Sequence, residues 1–408
     1  MGSIALGNHS PRSGASRVVR RMIENGTWSR GERIPGEEQL CQDLSVSRRT
    51  IRAVLEELEG DGLIEGRGRK GRFVVWEGQP RLTLLARTIV VVTYTEGRID
   101  PMAMNGYLAS LDAGVLFEIG EQGYSSLVIP ERAVHQFPIE EVISNRPMGI
   151  VAVEPALHNP AVEQLLRDCA VADLPIVLNT HHTSLLGFDR VVSDHRVGAR
   201  LLTESLLREG CRRILLIQAD HPSADWPERK IAGYHEAMRA AGIDPLPVLQ
   251  NLTLTQRVEA DPDVFETRAR QYAGALVEHL TGPERVDAIM VMSDSDLFPV
   301  ARACHLFGLD PQRDMLLAGF DNYWQTCHER HFCDVIPRFT VDKQNHFTGR
   351  MVVRLLLERL HGQLSPEAQC RFTPPRVVAL DPHDPTLALV PGAGSSTPLA
   401  EEYVHAHL

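Results

Sequence analysis

The chain has 408 residues, of which 43% are hydrophobic and 23% charged, and a formal net charge of −11. These values are typical of a folded protein of two or three domains, and they exclude one that coats nucleic acid along its whole length. Apolar runs stay short of the roughly 18 residues that a membrane span needs, and the first residues form no apolar signal region. Seven cysteines without regular spacing fit reduced thiols, so we expect a cytoplasmic protein without membrane contact.

The charge is unevenly distributed along the chain. Residues 1–80 contain 13 Lys and Arg against 11 Asp and Glu, whereas the remainder is strongly acidic. A basic N-terminal segment beside an acidic body is typical of a DNA-binding domain that is attached to a second domain.

The first predicted elements, after a flexible leader over residues 1–15, are three helices over residues 16–25, 37–44 and 48–60. Ser47 suits the N-cap of the third helix, whose apolar residues recur at helical spacing. Two short strands around a Gly/Arg turn follow within residues 63–75. This order predicts a winged helix-turn-helix over residues 16–75, in which the third helix enters the major groove of DNA.

The predicted DNA-binding residues can donate to bases or phosphates from the third helix, the basic hairpin (the wing) or the preceding turn. They are Arg33, Ser47, Arg48, Arg49, Thr50, Arg52, Arg67, Arg69, Lys70 and Arg72. The segment RGERIPGEEQLCQDLSVSRRTIRAVLEELEGDGLIEGRGRKGRFVV resembles the GntR family of transcription regulators. Glu38 stands where that family usually has an arginine, and Arg72 where it usually has a threonine, so we expect an operator preference different from that of its relatives.

Strands and helices alternate after a linker over residues 76–87. Strands are predicted over residues 88–93, 126–129, 149–153, 175–178, 213–218, 246–250, 288–292 and 315–320. Helices are predicted over residues 105–122, 138–145, 161–169, 194–209, 228–241, 266–280 and 298–307. This alternation predicts an α/β fold with parallel sheets in two lobes and a ligand at the carboxyl ends of the strands. We expect lobe 1 in residues 88–189 and 322–339, lobe 2 in residues 190–319 and 341–380, and a tail over residues 381–408.

Four segments of this region resemble the LacI/GalR-type sensor domain, which is related to periplasmic sugar-binding proteins. They are VVSDHRVGARLLTESLLREGCRRILLI, ERKIAGYHEAMRAAGI, DAIMVMSDSDLFPVARACHLFGLDPQRDMLLAGFDN and FTVDKQNHFTGRMVVRLLLERLHG. Together with the GntR-type domain they resemble the arabinose-repressor architecture. The resemblance implies a repressor of periplasmic binding protein-like fold, a homodimer that binds operator DNA and a small-molecule effector, expected to be a sugar.

The expected effector contacts are Tyr94, Asn179, Trp226, Arg229, Asp294 and Asp321. The resemblance implies that Arg229 points into the cleft and that Asp294 accepts hydrogen bonds from hydroxyl groups, although Ser293 replaces the usual asparagine beside it. For Trp226, Arg229, Asp294 and Asp321 a purely structural role stays open at this point. Asp194 is expected to cap the helix that it begins.

Three other functions compete with a sugar-sensing regulator, besides a regulator with a non-sugar effector. A pyridoxal phosphate enzyme needs a Schiff-base lysine, but Lys230 and Lys343, the two lysines outside the wing, lie in no recognisable cofactor motif. A metal-dependent hydrolase is suggested by residues 327–333 (CHERHFC), although the histidines do not have the spacing of HExxH. A transport receptor would not need the winged helix. We expect no enzyme, no metal and no cofactor.

Overall fold

The computed structural model describes residues 11–381, 384 and 386, apart from residues 25, 45, 77–84, 86, 95–105, 156–158, 220, 222, 251, 253 and 256–260. The chain divides into two compact units. The first contains Met1–Gly198, His221–Lys230 and Asp342–Arg376, and the second contains Ala199–Asp220, Ile231–Val341 and Val377–Leu408.

The first unit begins with a three-helix domain. Its helices are α1 (Pro11–Glu24), α2 (Glu37–Leu44) and α3 (Arg48–Gly60), and its antiparallel hairpin pairs β1 (Ile64–Gly66) with β2 (Arg72–Val74). Ser47 caps α3, because its Oγ accepts from the backbone N–H of Thr50 at 3.2 Å. The apolar residues at helical spacing are fully buried, as the sequence predicts for a helix with one face on the core.

A six-stranded parallel sheet completes the first unit. In chain order its elements are β3 (Thr88–Thr93), α4 (Gly106–Glu121), β4 (Ser125–Pro130), α5 (Ile139–Ser144), β5 (Gly149–Val153), α6 (Pro160–Val171), β6 (Ile176–Asn179) and β7 (Asp189–Ser193), after which α7 (His195–Arg208) begins. The central strands β3 and β5 are buried on both faces, which is why they are unbroken apolar runs in the sequence.

The second unit contains a five-stranded sheet. Its elements are β8 (Ile214–Leu216), α9 (Pro262–Leu280), β9 (Ala288–Met290), α10 (Asp294–Leu306), β10 (Leu316–Ala318) and β11 (Phe339–Asp342), together with the part of α8 (Trp226–Ala240) from Ile231 onwards. The first residues of α8, up to Lys230, belong to the first unit. The chain then returns to the first unit with α11 (Asn345–Leu360) and β12 (Cys370–Thr373) and ends its described strands with β13 (Arg376–Ala379). The strand orders are β12-β7-β6-β5-β3-β4 and β13-β11-β10-β9-β8.

Helices α4 and α11 pack closely because glycines face the opposing backbone. A Cβ atom at Gly114 would lie 2.0 Å from the carbonyl oxygen of His346, and one at Gly349 would lie 2.2 Å from that of Leu111. The fully buried carboxylate of Glu118 accepts from Arg350 at 2.6 Å and from Arg354 at 2.8 Å. Burial acts to raise the pKa of Glu118, but these two arginines outweigh it and lower the pKa to about 2.

The structure corrects the predicted lobes at three points. Residues 322–339 belong to the second unit, because β11 extends the sheet beside β10. Residues 345–373 return to the first unit, because α11 packs on α4 and β12 pairs with β7. Strand β7 also belongs to the first sheet, although the second lobe was expected to begin at residue 190.

Two predicted elements differ as well. The expected strand over residues 246–250 is reduced to a single bridge between Ile217 and Leu249. Helix α1 begins at Pro11, so the expected leader is shorter than 15 residues. Residues 1–10, most of the linker and nearly all of the tail lie outside the described residues.

Candidate functional site

The N-terminal end of α3 presents three arginines on the protein surface. Arg48, Arg49 and Arg52 are exposed, and Ser47 and Thr50 stand beside them with hydroxyl oxygens 2.8 Å apart. The buried face of the same helix fixes their direction, because Ile51, Val54, Leu55 and Leu58 fill the core. The predicted contacts on α3 therefore lie on one surface.

Glu37 organises this surface and was not expected from the sequence. Its Oε2 accepts from Arg52 Nε at 2.9 Å and from Arg48 Nε at 3.3 Å, and its Oε1 accepts from Arg72 Nη1 at 3.4 Å. Burial acts to raise the pKa of Glu37, but the arginines, Arg52 foremost, lower it below its ordinary value. Acidic residues are common in the first turn of a helix, where they interact favourably with the helix dipole. Nothing in the sequence therefore distinguishes Glu37 as a partner of these arginines.

The wing residues lie between β1 and β2, where Gly68 and Gly71 adopt positive φ angles of 59° and 97°. Arg67 lies over the ring of Phe73, with its Cζ 4.9 Å from the ring centroid, and Lys70 is exposed. Arg72 donates from Nε to Glu59 at 2.8 Å. Arg33 forms an antiparallel bridge with Phe73, which places it beside the wing. The side chain of Arg69 lies outside the part of the chain that the structure describes.

The carboxyl ends of β6 and β7 carry buried polar residues in the first unit. Asn179, at the end of β6, donates from Nδ2 to the carbonyl oxygen of Val191 at 2.8 Å, so its amide group joins the two strands. Thr180 and His181 follow and are 2% and 6% exposed. Asp194 accepts from the backbone N–H of Val197 at 3.1 Å, as expected for the residue that caps α7.

Asp225 links this strand end to Arg229. Its Oδ1 accepts from His181 Nδ1 and its Oδ2 from Arg229 Nε, both at 2.7 Å. Burial acts to raise the pKa of Asp225, but His181 and Arg229 outweigh it and lower the pKa well below its ordinary range. The guanidinium of Arg229 also lies over the ring of Phe372, 4.6 Å from its centroid. Arg229 is thus held in one orientation by a carboxylate and an aromatic face.

Trp226 begins α8 and lies among basic side chains. The ammonium of Lys230 is 5.0 Å from its ring centroid, and the ring of His195 is 6.0 Å away. His195 also makes an edge-on contact with His181, with ring centroids 4.6 Å apart. His195 and Lys230 were not expected as site residues. Tyr94 follows β3 and is 56% exposed.

Asp294 lies in the second unit and is fully buried. It accepts from the backbone N–H groups of Tyr323 and Trp324 at 2.7 and 3.1 Å, and from the hydroxyl of Thr340 at 2.8 Å. Burial and the charge of Asp321 raise the pKa of Asp294 to about 8. These contacts connect the start of α10 to the segment after β10, so the described role of Asp294 is structural, and its contact with an effector stays a prediction.

Asp321 also lies in the second unit, in a left-handed backbone conformation with a φ of 101°. Its backbone N–H donates to the carbonyl oxygen of Val341 at 2.8 Å, which fixes the segment that leaves β10. An effector contact for Asp321 also stays a prediction.

The segment over residues 327–333 forms a short turn of helix, His328–His331. Among the described residues, no group of three or more His, Cys, Asp and Glu side chains is arranged to hold a metal ion. No described helix combines the length and the apolar character that crossing a bilayer requires.

The comparisons with known proteins define the class of the two domains. Residues 12–74 match the bacterial regulatory proteins of the gntR family, and residues 203–379 match the periplasmic binding protein-like domain. The chain therefore carries a gntR-family helix-turn-helix followed by a periplasmic binding protein-like domain, which confirms the predicted fold. This is the domain composition of a transcription regulator, a class without enzymatic activity.

Individual relatives agree with this class. The arabinose metabolism transcriptional repressor of Geobacillus stearothermophilus is 28% identical over 199 residues, which are 47% of this chain and 52% of the repressor. The chain spans 12 to 52% of the length of the curated relatives it matches.

Solved structures share the fold. A transcriptional regulator CelR–cellobiose complex has a TM-score of 0.54 at 17% identity over 85% of this chain and 99% of the other. A LacI-family regulatory protein from Chloroflexus aggregans has a TM-score of 0.53 at 23% identity over 72% and 97% of the two chains.

Proposed function

We propose that this protein is a cytoplasmic repressor that binds operator DNA through α3 and the wing and changes its operator affinity when its C-terminal domain binds a sugar-type effector. One observation supports the DNA-binding part of this proposal. The N-terminal end of α3 exposes its arginines, while the rest of the three-helix domain packs around a buried apolar core. Arginines at this position can reach base edges, and those of the wing can reach the adjacent phosphates.

The effector part is supported by Arg229. Its guanidinium is held between Asp225 and Phe372 yet is still about one third exposed, with 32% of the side chain accessible. An arginine that is fixed in place loses little conformational entropy when it binds a ligand. Trp226, three residues earlier, offers an aromatic face to the C–H groups of a sugar ring. The named relatives, an arabinose metabolism repressor and a regulator in complex with cellobiose, support a sugar as effector.

A homodimer follows from the way such domains recognise DNA. One winged helix contacts too few bases for a specific site, and two-fold symmetric operators match two-fold symmetric proteins. Helices α4 and α11 of the first unit expose Phe117 and Phe347, which are 46% and 39% accessible. We propose that a second copy of the chain covers these two aromatic residues.

The test is operator binding of the full chain by fluorescence anisotropy, with and without a panel of pentoses, hexoses, sugar acids and sugar phosphates. Arg48→Ala should weaken operator binding without changing the stabilisation of the protein by the active compound. Arg229→Ala should abolish the response to that compound and leave operator binding intact. Arg239→Ala, an exposed arginine on the same helix, is the matched control. If no compound of the panel changes the operator affinity, the effector part of the proposal is refuted.

A further inference from the structure

We propose that the effector is an anion, which places a carboxylate or phosphate group beside the polar residues at the carboxyl ends of β6 and β7. This inference rests on the proposed function, since it names the chemical class of the effector. It is carried by a set of side chains that we call the donor cluster. The cluster contains His181, His195, Arg229 and Lys230, with Asp225 as a carboxylate. It also includes Arg190, which lies near the start of β7 and whose Nη1 is 3.5 Å from the carbonyl oxygen of Thr180.

Hydrogen-bond balance is the first argument. The hydroxyl groups of a neutral sugar both donate and accept, so a site for such a sugar needs acceptors as well as donors. Asp225 already accepts from His181 with one oxygen and from Arg229 with the other. Asp194 accepts from the backbone of α7, and Thr180 Oγ1 accepts from the backbone N–H of His182 at 3.1 Å. Ser193 Oγ, at the end of β7, is buried without a partner among the described residues and can either accept or donate. Arg190 and Arg229 can only donate, so over the described part of this site the balance favours a ligand that mainly accepts.

Buried polar atoms without partners give the second argument. Arg190 is 7% exposed and His181 is 6% exposed. Within the described part of the chain, Arg190 Nε has no hydrogen-bond partner. Arg190 lies close to His181, because its Nη1 is 3.5 Å from the carbonyl oxygen of Thr180. A buried guanidinium N–H without an acceptor is costly, so the arrangement fits an acceptor that arrives with the ligand.

The local charge is the third argument. His195 is buried, and burial holds its pKa well below the ordinary value, with the positive charges of His181, Lys230, Lys343 and Arg229 acting in the same direction. The N-terminal end of α8, which starts at Trp226, adds the positive end of a helix dipole. A positive field at a site of low water content favours an anion over a neutral ligand.

The geometry of arginine completes the case. A guanidinium donates two parallel hydrogen bonds to a carboxylate or a phosphate, which a single hydroxyl cannot accept in the same way. Arg190 is paired in register with Cys370 of β12, and Arg229 lies over the ring of Phe372, two residues further along the same strand, so both guanidinium groups belong to the same edge of the sheet. The vicinal hydroxyls of a neutral sugar can also accept from this fork, but a carboxylate or phosphate accepts with a full negative charge and forms the stronger, charge-assisted pair.

The test uses the full chain and matched sugars. Calorimetry compares each neutral pentose or hexose with its sugar acid and its sugar phosphate, so that the two sources of negative charge are distinguished. We expect at least one charged compound to bind about tenfold or more tightly than its neutral partner, a difference typical of one gained charge-assisted pair. Only the binding of the charged compound should weaken as the salt concentration rises.

Two variants locate this preference. Arg190→Gln and Arg229→Gln should each lower the ratio of charged to neutral affinity, whereas Arg167→Gln, which removes a cation from α6 outside the cluster, should leave the ratio unchanged. Arg229 is partly exposed, so its variant keeps the test valid if Arg190→Gln does not fold.

The outcomes separate the two proposals. A neutral sugar that binds as tightly as its charged partners, or a charge preference that survives both variants, overturns the anionic effector and leaves the sugar-sensing regulator in place. A series in which no compound binds the protein or changes its operator affinity overturns both proposals.

Discussion

Replacing Glu37 by glutamine tests how the DNA-binding surface is organised. The carboxylate of Glu37 is paired with Arg48, Arg52 and Arg72, while the side chains of Arg48 and Arg52 are themselves 67% and 57% exposed. The pairing thus neutralises cations that would otherwise face DNA phosphates. We expect Glu37→Gln to tighten binding to non-specific duplex DNA.

The magnitude follows from the exposure of the pairs. An exposed ion pair contributes about 0.2–1 kcal/mol, and the two most exposed pairs, with Arg48 and Arg52, belong at the low end of that range. If DNA binding breaks them, their loss in the variant lowers the cost of binding by about 0.4–0.6 kcal/mol in total, which is about two- to threefold in affinity. One added net positive charge should also steepen the dependence of binding on salt by up to about one unit of log–log slope.

Glu38→Gln is the matched control. It removes the same charge from the neighbouring position of α2, but Glu38 is exposed and takes part in none of the ion pairs found among the described residues. Fluorescence anisotropy with a random-sequence duplex, measured from low to physiological salt, compares both variants with the parent chain. If both variants gain DNA affinity equally, the effect is one of overall charge. If Glu37→Gln gains no DNA affinity, the pairing argument is refuted.

Three further predictions concern stability and assembly. Gly114→Ala should destabilise the protein by about 2 kcal/mol or more in thermal unfolding, because the new Cβ meets backbone in α11, while Gly120→Ala on the same helix meets nothing within 4 Å and should be tolerated. Folding raises the pKa of Asp294, so this residue destabilises the folded protein increasingly as the pH rises from about 4 to 8. The stability of Asp294→Asn relative to the parent chain should therefore increase over that range, as measured by urea unfolding at several pH values. Phe117→Glu should shift the protein from dimer to monomer in sedimentation equilibrium, and an unchanged dimer would place the interface elsewhere.

Local sequence signals predicted the winged helix well. The bounds of α2 and α3 agree with the structure because Ser47 and the apolar spacing of α3 act over a few residues. The expected strand over residues 246–250 failed for an equally local reason. Pro245 and Pro247 cannot donate to a sheet ladder, so only Leu249 bridges to its neighbour.

Long-range pairing limited the rest of the prediction. The sequence shows where a strand occurs, but not that β12 pairs with β7, about 180 residues away, or that α11 returns to pack on α4. The contact of His181 with Asp225 spans 44 residues and leaves no motif. Arg229 was predicted as a site residue because it lies in a family-like segment, whereas Arg190 and His195 become site candidates only when the fold brings strand and helix together.

Both candidate sites pair arginine with a carboxylate, and burial gives the two pairings different consequences. Two of the arginines that Glu37 holds, Arg48 and Arg52, are mostly exposed, so DNA phosphates can replace Glu37 at a cost below about 1 kcal/mol for each of these pairs. Asp225 holds Arg229, which is about two thirds buried, and His181, which is almost fully buried. Breaking those contacts would leave buried polar groups unpaired. We therefore expect the arginines of α3 to exchange partners on DNA, and Arg229 to keep Asp225 while its effector binds.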